Sequence, residues 1–354
     1  MSTGFALRAY QPGDEAAVLA LLRQVLGEGG RAFERTEAFW HWKHEANVFG
    51  RSILMLATQD EVVGVRAFMR WRFRSAHGPL GAVRAVDTAT HPRARRRGVF
   101  STLTRAAVAQ AEAAGVDLIF NTPNRLSLPG YLKLGWTRVG RPLLLVRLVR
   151  PLRVLAAVRA RRTPARPHAY TPGHEVVGRN GATPDAPGDL PQVREWLQAF
   201  DVERLLAEAD RLEGEGIRTD RSVAWLRWRY AEAPTLPYQA VWTTDPGPAV
   251  LVVRMGARGG LREAMLSEVL ASPRGVSALG KLVRWVVAAA APDYLVAHAP
   301  WGSVRCRALL RAGFVPLPWV GPVLTVRPLS ATARAAGLNR PGAWQLSLGD
   351  LEIF

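Results

Sequence analysis

Apolar and polar positions along this chain switch between two periods, and the switches mark its elements. Leu54-Met55-Leu56-Ala57 and Val62-Val63-Gly64-Val65 are short apolar runs parted by polar residues, which predicts strand, turn, strand. Residues 86–90 predict a further strand. Pro92 stops it, and Gly98 lets the backbone turn. Leu103, Ala106, Ala107, Gln110, Ala111 and Ala114 then follow at helical spacing. Val116-Asp117-Leu118-Ile119-Phe120 returns to a short apolar strand. Residues 152–162 predict a basic amphipathic helix. Residues 163–191, rich in Pro and Gly, predict loops with one short strand at Glu175-Val176-Val177. Residues 344–354 alternate as a strand does, which predicts one in the tail.

The pattern occurs twice. Arg35-Thr36-Glu37-Ala38-Phe39-Trp40-His41-Trp42-Lys43 is matched by Arg218-Thr219-Asp220-Arg221-Ser222-Val223-Ala224-Trp225-Leu226-Arg227-Trp228-Arg229. Gln239-Ala240-Val241-Trp242 and Val250-Leu251-Val252-Val253 repeat the strand pair. Thr90-His91-Pro92 corresponds to Ala271-Ser272-Pro273, and Lys133-Leu134-Gly135-Trp136 to Arg311-Ala312-Gly313-Phe314. The spacing predicts a tandem organisation: a first domain over 1–150, a basic helix and Pro/Gly-rich linker over 151–190, a second domain over 191–330, and a tail with a strand over 331–354.

Composition narrows the setting. Of the 354 residues, 48% are hydrophobic, enough for two cores. No run has the apolar length of a membrane span, and the first residues lack the pattern of a signal peptide. The single cysteine, Cys306, allows no internal disulfide and no Cys-rich metal site, and it reads as a helix residue. Together these features predict a soluble protein of the reducing cytoplasm. The formal net charge is +18. Lysine occurs only at Lys43, Lys133 and Lys281, so nearly all of the positive charge is arginine. Such an excess fits an anionic partner: CoA, a nucleotide-linked substrate or RNA. Aromatic residues are not interleaved with the arginines in a stacking pattern, which weighs against nucleic acid. Oligomeric state is left open, a homo-oligomer included.

Residues 86–103 carry the chemistry. A strand leads into a basic loop with one glycine and then into a helix, so successive backbone N–H groups and the positive helix end can cradle a diphosphate. Arg95, Arg96 and Arg97 add charge where an anion would sit. No Gly-Lys-Ser/Thr follows, and the three glycines of a dinucleotide fingerprint are missing.

Arg95-Arg96-Arg97-Gly98-Val99-Phe100 resembles motif A of the GNAT superfamily of acyl-CoA-dependent N-acyltransferases, with Phe100 where a small residue is usual. Asn121-Thr122-Pro123-Asn124-Arg125-Leu126-Ser127-Leu128-Pro129-Gly130-Tyr131-Leu132-Lys133-Leu134-Gly135-Trp136 resembles its motif B. The resemblance covers about residues 5–145. It implies an α/β (α+β) fold class with two tandem GNAT-like domains, each a mixed, mostly antiparallel central sheet flanked by helices. The second copy is degenerate: no Arg-x-x-Gly loop follows Pro273, and Leu309 stands near the place of Tyr131.

Further expectations come with the resemblance. The strands around motif A splay apart, and the thioester lies in the gap. Acetyl-CoA is the co-substrate, held by Thr88, Ala89, Thr90, Arg95, Arg96, Arg97, Gly98, Val99, Phe100, Ser101, Asn124 and Lys133, and no metal is needed. A backbone N–H within residues 87–90 polarises the carbonyl, and Tyr131 protonates the sulfur. The base is left open among Asp87, the early-helix residues Glu37, His41, His44 and Glu45, water, and the carboxylate at Phe354. That last option parallels the tandem enhanced-intracellular-survival-type acetyltransferases. The implied activity is acetyl transfer to the amine of a small acceptor by direct attack in a ternary complex. The alternatives are a non-catalytic CoA-binding sensor or scaffold, and an acyltransferase using a longer acyl-CoA or an aminoacyl-tRNA.

Overall fold

A computed structural model describes residues 4–27, 35–160 and 190–352. The chain divides into two units, Met1–Gly140 with Val323–Pro341, and Arg141–Pro322 with Gly342–Phe354. The first contains β1 (Ala6–Ala9), α1 (Glu15–Leu26), α2 (Glu37–His44), β2 (Ile53–Thr58), β3 (Val62–Ser75), β4 (Gly78–Thr90), α3 (Val99–Ala113), β5 (Leu118–Asn121), α4 (Leu128–Lys133) and β6 (Thr137–Gly140). The second runs through β7 (Leu144–Leu148), α5 (Pro151–Ala160), α6 (Val193–Ala199), α7 (Val202–Glu213), β8 (Arg218–Thr219), α8 (Val223–Leu226) with a π turn to Ala231, β9 (Tyr238–Thr243), β10 (Ala249–Arg258), β11 (Leu261–Ala271), α9 (Leu279–Ala290), β12 (Tyr294–His298), α10 (Val304–Arg311) and β13 (Val315–Leu317). β14 (Leu324–Pro328) and α11 (Ala331–Ala335) return to the first unit, and α12 (Leu348–Leu351) to the second.

Each unit is built on a mixed sheet flanked by helices. The first sheet runs β1-β2-β3-β4-β5-β14-β6 and the second β13-β7-β12-β11-β10-β9. In each, one pair is parallel, β4 with β5 and β11 with β12. A parallel pair needs a crossover, and α3 and α9 supply it. Each sheet also takes its next-to-last strand from outside its own repeat. β14 pairs antiparallel with β5 and β6, and β7 with β12 and β13. Both strands are apolar enough to lie between two neighbours: Leu324, Val326, Leu144 and Leu145 are buried. The sheets therefore part the sequence near residues 140 and 323 and set β7, which lies within residues 1–150, in the second sheet.

α3 seats on the first sheet through Val99, Leu103, Ala107, Val108 and Ala111, while Gln110 and Ala114 face water. Gly64 makes that seat possible, because a Cβ there would stand 2.6 Å from Val99 Cγ1 and 2.9 Å from Leu103 Cδ1. In the second unit α9 presents Leu279, Leu282, Val283 and Val286 to the core. Cys306 is a buried residue of α10, and burial raises its thiol pKa.

The expected strand over 344–354 is not formed in its described part. The Ser347 and Asp350 side chains cap each other's backbone N–H groups, at 3.1 and 2.7 Å, and wind the chain into α12. Apolar Trp344, Leu346, Leu348 and Leu351 are buried, and so are Asp350 and Glu352. Alternation therefore did not mark a half-exposed strand. Gly349 fits because a Cβ there would lie 2.1 Å from the Tyr230 hydroxyl. α5 follows the predicted amphipathic helix as far as Ala160, with Leu152 81% exposed. The strand expected at Glu175-Val176-Val177 and the carboxylate of Phe354 lie outside the described residues. No helix among the described residues is long and apolar enough to cross a membrane.

Candidate active site

Pairing between β4 and β5 stops at Arg84–Phe120, while β4 continues to Thr90. The two strands therefore part along residues 85–90, and β4 exposes its backbone edge there on the β5 side. On its other side β4 carries a β-bulge against β3. Val65 faces Ala89 and Ala67 faces Val86, so Asp87 and Thr88 together oppose the single residue Arg66. Asp87 takes up the extra length with a left-handed φ of 36°, which is uncommon for a residue other than glycine.

The loop after the bulge has the form expected of an anion cradle. Pro92–Ala94 is a 3-10 turn anchored by buried Ala94. Arg96 at φ 61° and Gly98 at φ 82° are both left-handed, which turns the chain into α3. The first N–H bonded inside the helix is that of Thr102, to the Gly98 carbonyl at 3.0 Å. The N–H groups of Val99, Phe100 and Ser101 precede it at the positive end of the helix. Arg95, Arg96 and Arg97 are exposed and make no ion pair among the described residues. These features fit a diphosphate. Val99 itself is buried, so only its backbone can contribute. The Ser101 hydroxyl bonds the Gly98 carbonyl at 3.0 Å.

Phe100 does not lie along the loop. It packs edge-on against the Tyr131 ring at 5.5 Å, close enough to Gly130 that a Cβ there would meet Phe100 Cε1 at 3.0 Å. Asn124 serves the start of α4, its Oδ1 accepting from the Leu126 and Ser127 N–H groups at 3.0 and 2.9 Å. Lys133 is exposed, Ala89 is buried, and the Thr90 carbonyl accepts from Arg95 Nε at 3.4 Å.

Tyr131 and Thr88 are brought together by a residue outside both motifs. Arg66 is fully buried, and its Nη1 donates to Thr88 Oγ1 at 2.6 Å and to the Tyr131 hydroxyl oxygen at 2.7 Å. The Phe68, Phe100 and Tyr131 rings lie 5.0, 5.4 and 4.9 Å from the guanidinium carbon. Among the described residues Arg66 makes no ion pair, and its Nε and Nη2 have no hydrogen-bond partner. The sequence did carry a signal: one arginine inside the apolar run Val62-Val63-Gly64-Val65-Arg66-Ala67-Phe68.

Asp87 faces α2 instead. Its Oδ2 meets Lys43 Nζ at 2.6 Å and His44 Nε2 at 3.0 Å, and His44 Nδ1 reaches Ser52 Oγ at 2.9 Å. Burial pushes the Asp87 carboxyl pKa up, but the Lys43 charge and the His44 hydrogen bond outweigh it and hold the carboxyl well below the usual carboxylate range. Burial lowers the pKa of both Lys43 and His44. A carboxylate held ionised by two partners is a weak proton acceptor. It anchors the bulge to α2. His41 and Glu45 pair with each other at 3.0 Å, and the His41 side chain is exposed.

The second unit shows no such loop. After Pro273, Gly275 N–H donates to Ser272 Oγ at 3.0 Å and Val276 N–H to the Ser272 carbonyl at 3.1 Å, so these groups are spent internally. No residue of 272–280 is left-handed. A cleft of about 690 Å³ beside it is lined in part by Arg147, Arg274, Arg284 and Arg311.

Comparison with known proteins agrees with this geometry. Residues 6–139 match the family model of an acetyltransferase (GNAT) domain. None of the curated proteins searched matches the chain. Among solved structures, the chain is similar to a GCN5-related N-acetyltransferase from Anabaena variabilis, at 10% identity and TM-score 0.59, over 94% of this chain and 74% of that one. A GCN5-related N-acetyltransferase from Kribbella flavida is similar at 14% identity and TM-score 0.54, over 95% and 74%. Eis1 from Mycobacterium abscessus is similar at 14% identity and TM-score 0.54, over 95% and 76%. At such identities these structures speak for the fold. With the family match over the loop, the bulge and Tyr131, the chain carries a domain of the GNAT acetyltransferase family over residues 6–139.

Proposed function

We propose that this chain is an N-acetyltransferase that moves the acetyl group of acetyl-CoA to the amine of a small acceptor by direct attack in a ternary complex. The observation that carries the reading is the continuity of one edge. The backbone of β4 that has left β5 leads through residues 87–90 into the loop at Arg95–Ser101, and Tyr131 is tied to the same stretch by Arg66, which bonds both Tyr131 and Thr88. The N–H groups at the start of α3 and the guanidinium groups of Arg95, Arg96 and Arg97 hold the diphosphate of CoA. An N–H of residues 87–90 bonds the thioester oxygen and draws electrons from the carbonyl carbon. The Tyr131 hydroxyl gives its proton to the departing sulfur. Asp87, paired with Lys43 and His44, keeps the bulge and therefore the N–H in place.

A thiol-release assay with acetyl-CoA over a panel of amino sugars, aminoglycosides and polyamines tests the reading. At least one amine is expected to accelerate release. Tyr131→Phe should then lower turnover roughly ten- to a thousand-fold while CoA affinity stays nearly unchanged. CoA binding without thiol release for any amine would make the chain a sensor or scaffold.

A further inference from the structure

We infer that Arg66 is a positioning residue for the proton transfer to sulfur: it aims the Tyr131 hydroxyl and balances the charge left on its oxygen. The inference rests on Tyr131 being the acid. An Arg Nη–H can only donate, so at 2.7 Å the Tyr131 oxygen is the acceptor. The Thr88 hydroxyl is also fixed, accepting from Arg66 at 2.6 Å and donating to the Val86 carbonyl at 3.1 Å. Of the two hydroxyl hydrogens in this group, that of Tyr131 is thus the one not committed to an acceptor among the described residues, and the bond from Arg66 confines the directions in which it can point.

Charge gives the second argument. Arg66 is a fully buried guanidinium with no carboxylate partner among the described residues, ringed by Phe68, Phe100 and Tyr131. A cation removed from water in this way is costly, and an apolar residue of similar volume would pack at less cost. It becomes favourable when an anion forms beside it. As the amine nitrogen bonds to the carbonyl carbon, the electron pair of the C–S bond leaves with sulfur. The Tyr131 O–H bond then breaks, its proton goes to sulfur to give the thiol, and its electron pair stays on oxygen. For that interval the phenolate oxygen and Arg66 form an ion pair. The proton released by the acylated amine passes to solvent, and solvent returns one to Tyr131, so the residue ends as it began.

The experiment is a double-mutant cycle on the full chain, read as thiol release from acetyl-CoA with the fastest amine of the panel, and with water as the amine-independent arm. Arg66→Gln is expected to lower kcat about 10- to 100-fold with KM for acetyl-CoA changed less than about threefold. Arg66→Lys, which keeps the cation, should recover most of that loss. In the Tyr131→Phe background Arg66→Gln should cost less than about threefold more, because the oxygen it serves is gone. Equal losses in both backgrounds, a loss carried by KM, or no loss would overturn the inference. Tyr131→Phe turning over like the wild type would instead overturn the assignment of the acid, and this inference with it. Should Arg66→Gln not fold, Thr88→Val takes its place in the cycle. It is expected to lower kcat about 3- to 10-fold in the parent and not in Tyr131→Phe, and equal effects in both would overturn the inference.

Discussion

The two units solve the same backbone problem with different side chains. Both break the register of the strand that leads to the crossover helix, at Asp87–Thr88 in β4 and at Ser267 in β11. Both set a buried carboxylate at the break and tie it to the tryptophan-bearing helix: Asp87 to Lys43 and His44, Glu268 to the Tyr230 hydroxyl at 2.7 Å. Both sheets also part just ahead of the break, since β4 pairs with β5 only as far as Arg84–Phe120 and β11 with β12 only as far as Leu266–Ala297. Break, carboxylate and parting therefore belong to the architecture, because they persist in a unit with no phosphate loop and no tyrosine at the acid position. The difference lies opposite the break. The second unit has Val252 and Val253 there, the first has Arg66. Every buried arginine described in the second unit has a carboxylate within 4 Å: Arg221 with Glu213 and Glu268, Arg229 and Arg254 with Glu352, Arg305 with Glu213. A cation that the fold leaves without one is the better guide to chemistry.

Neutralising the two carboxylates tests the comparison most severely. Asp87 is held below the usual range and carries a full charge, so Asp87→Asn leaves Lys43 buried beside a neutral amide. We expect a stability loss of about 3–5 kcal/mol in denaturant melts. Glu268 is pushed the other way. Burial raises its pKa, Arg221 opposes the rise, and nearby Asp350 adds to it. Glu268→Gln should therefore cost less, about 1–2 kcal/mol. If Asp87→Asn were neutral while turnover per folded molecule fell as far as in Tyr131→Phe, Asp87 would belong to the chemistry and the equivalence would fail.

The loops come next. Titration with CoA should show one site per chain. Gly98→Asp should weaken it at least about 100-fold, since a carboxylate would face the diphosphate and a φ of 82° disfavours a side chain. A second site of similar affinity would place an anion at the cleft of Arg147, Arg274, Arg284 and Arg311, and would break the comparison at its loop.

The loop and the tyrosine were legible in the sequence because both are local. A proline, a glycine and four arginines fix a turn within seven residues, and Tyr131 lies in a contiguous motif. The sheets were legible as a fold class, because strands and crossover helices each announce themselves by period. Arg66 was not, because its meaning depends on register. Only the two-against-one pairing at Asp87 and Thr88 brings it under Tyr131, 65 residues away in sequence. The strands β7 and β14 were hidden for the same reason. A run such as Leu144–Leu148 declares a strand, yet nothing local says which sheet it joins. The tail misled because burial on all sides imitates alternation, and the reciprocal cap of Ser347 and Asp350 decided for a helix.

Acid offers the gentlest way to separate the units. His298 in β12 donates from Nδ1 to the Leu143 carbonyl at 2.7 Å and is buried. Burial lowers its pKa to about 4, the Leu143 carbonyl opposes the drop, Arg305 adds to it and Asp350 opposes it. The imidazole is neutral in the folded state and titrates near 6.5 in the unfolded chain. The unfolded state therefore takes up the proton first, and the stabilisation present above about pH 6.5 is lost as pH falls towards 4. We expect about 2 kcal/mol to be gone by pH 5, seen as faster hydrogen exchange in β12 and β11. Asp87 has the depressed pKa of a paired carboxylate, so its contribution stays whole above the usual carboxylate range near pH 4 and fades only below it. His44 beside Asp87 also has its pKa lowered by burial, with the bond to Asp87 opposing the drop, so exchange in β4 should quicken in the same direction but less than in β12. His298→Gln keeps a side-chain amide donor and removes the titration, so it should flatten the response between pH 7 and 5. If β4 loosened as much as β12, or if the variant kept the full slope, His298 would not be what distinguishes the two units in acid.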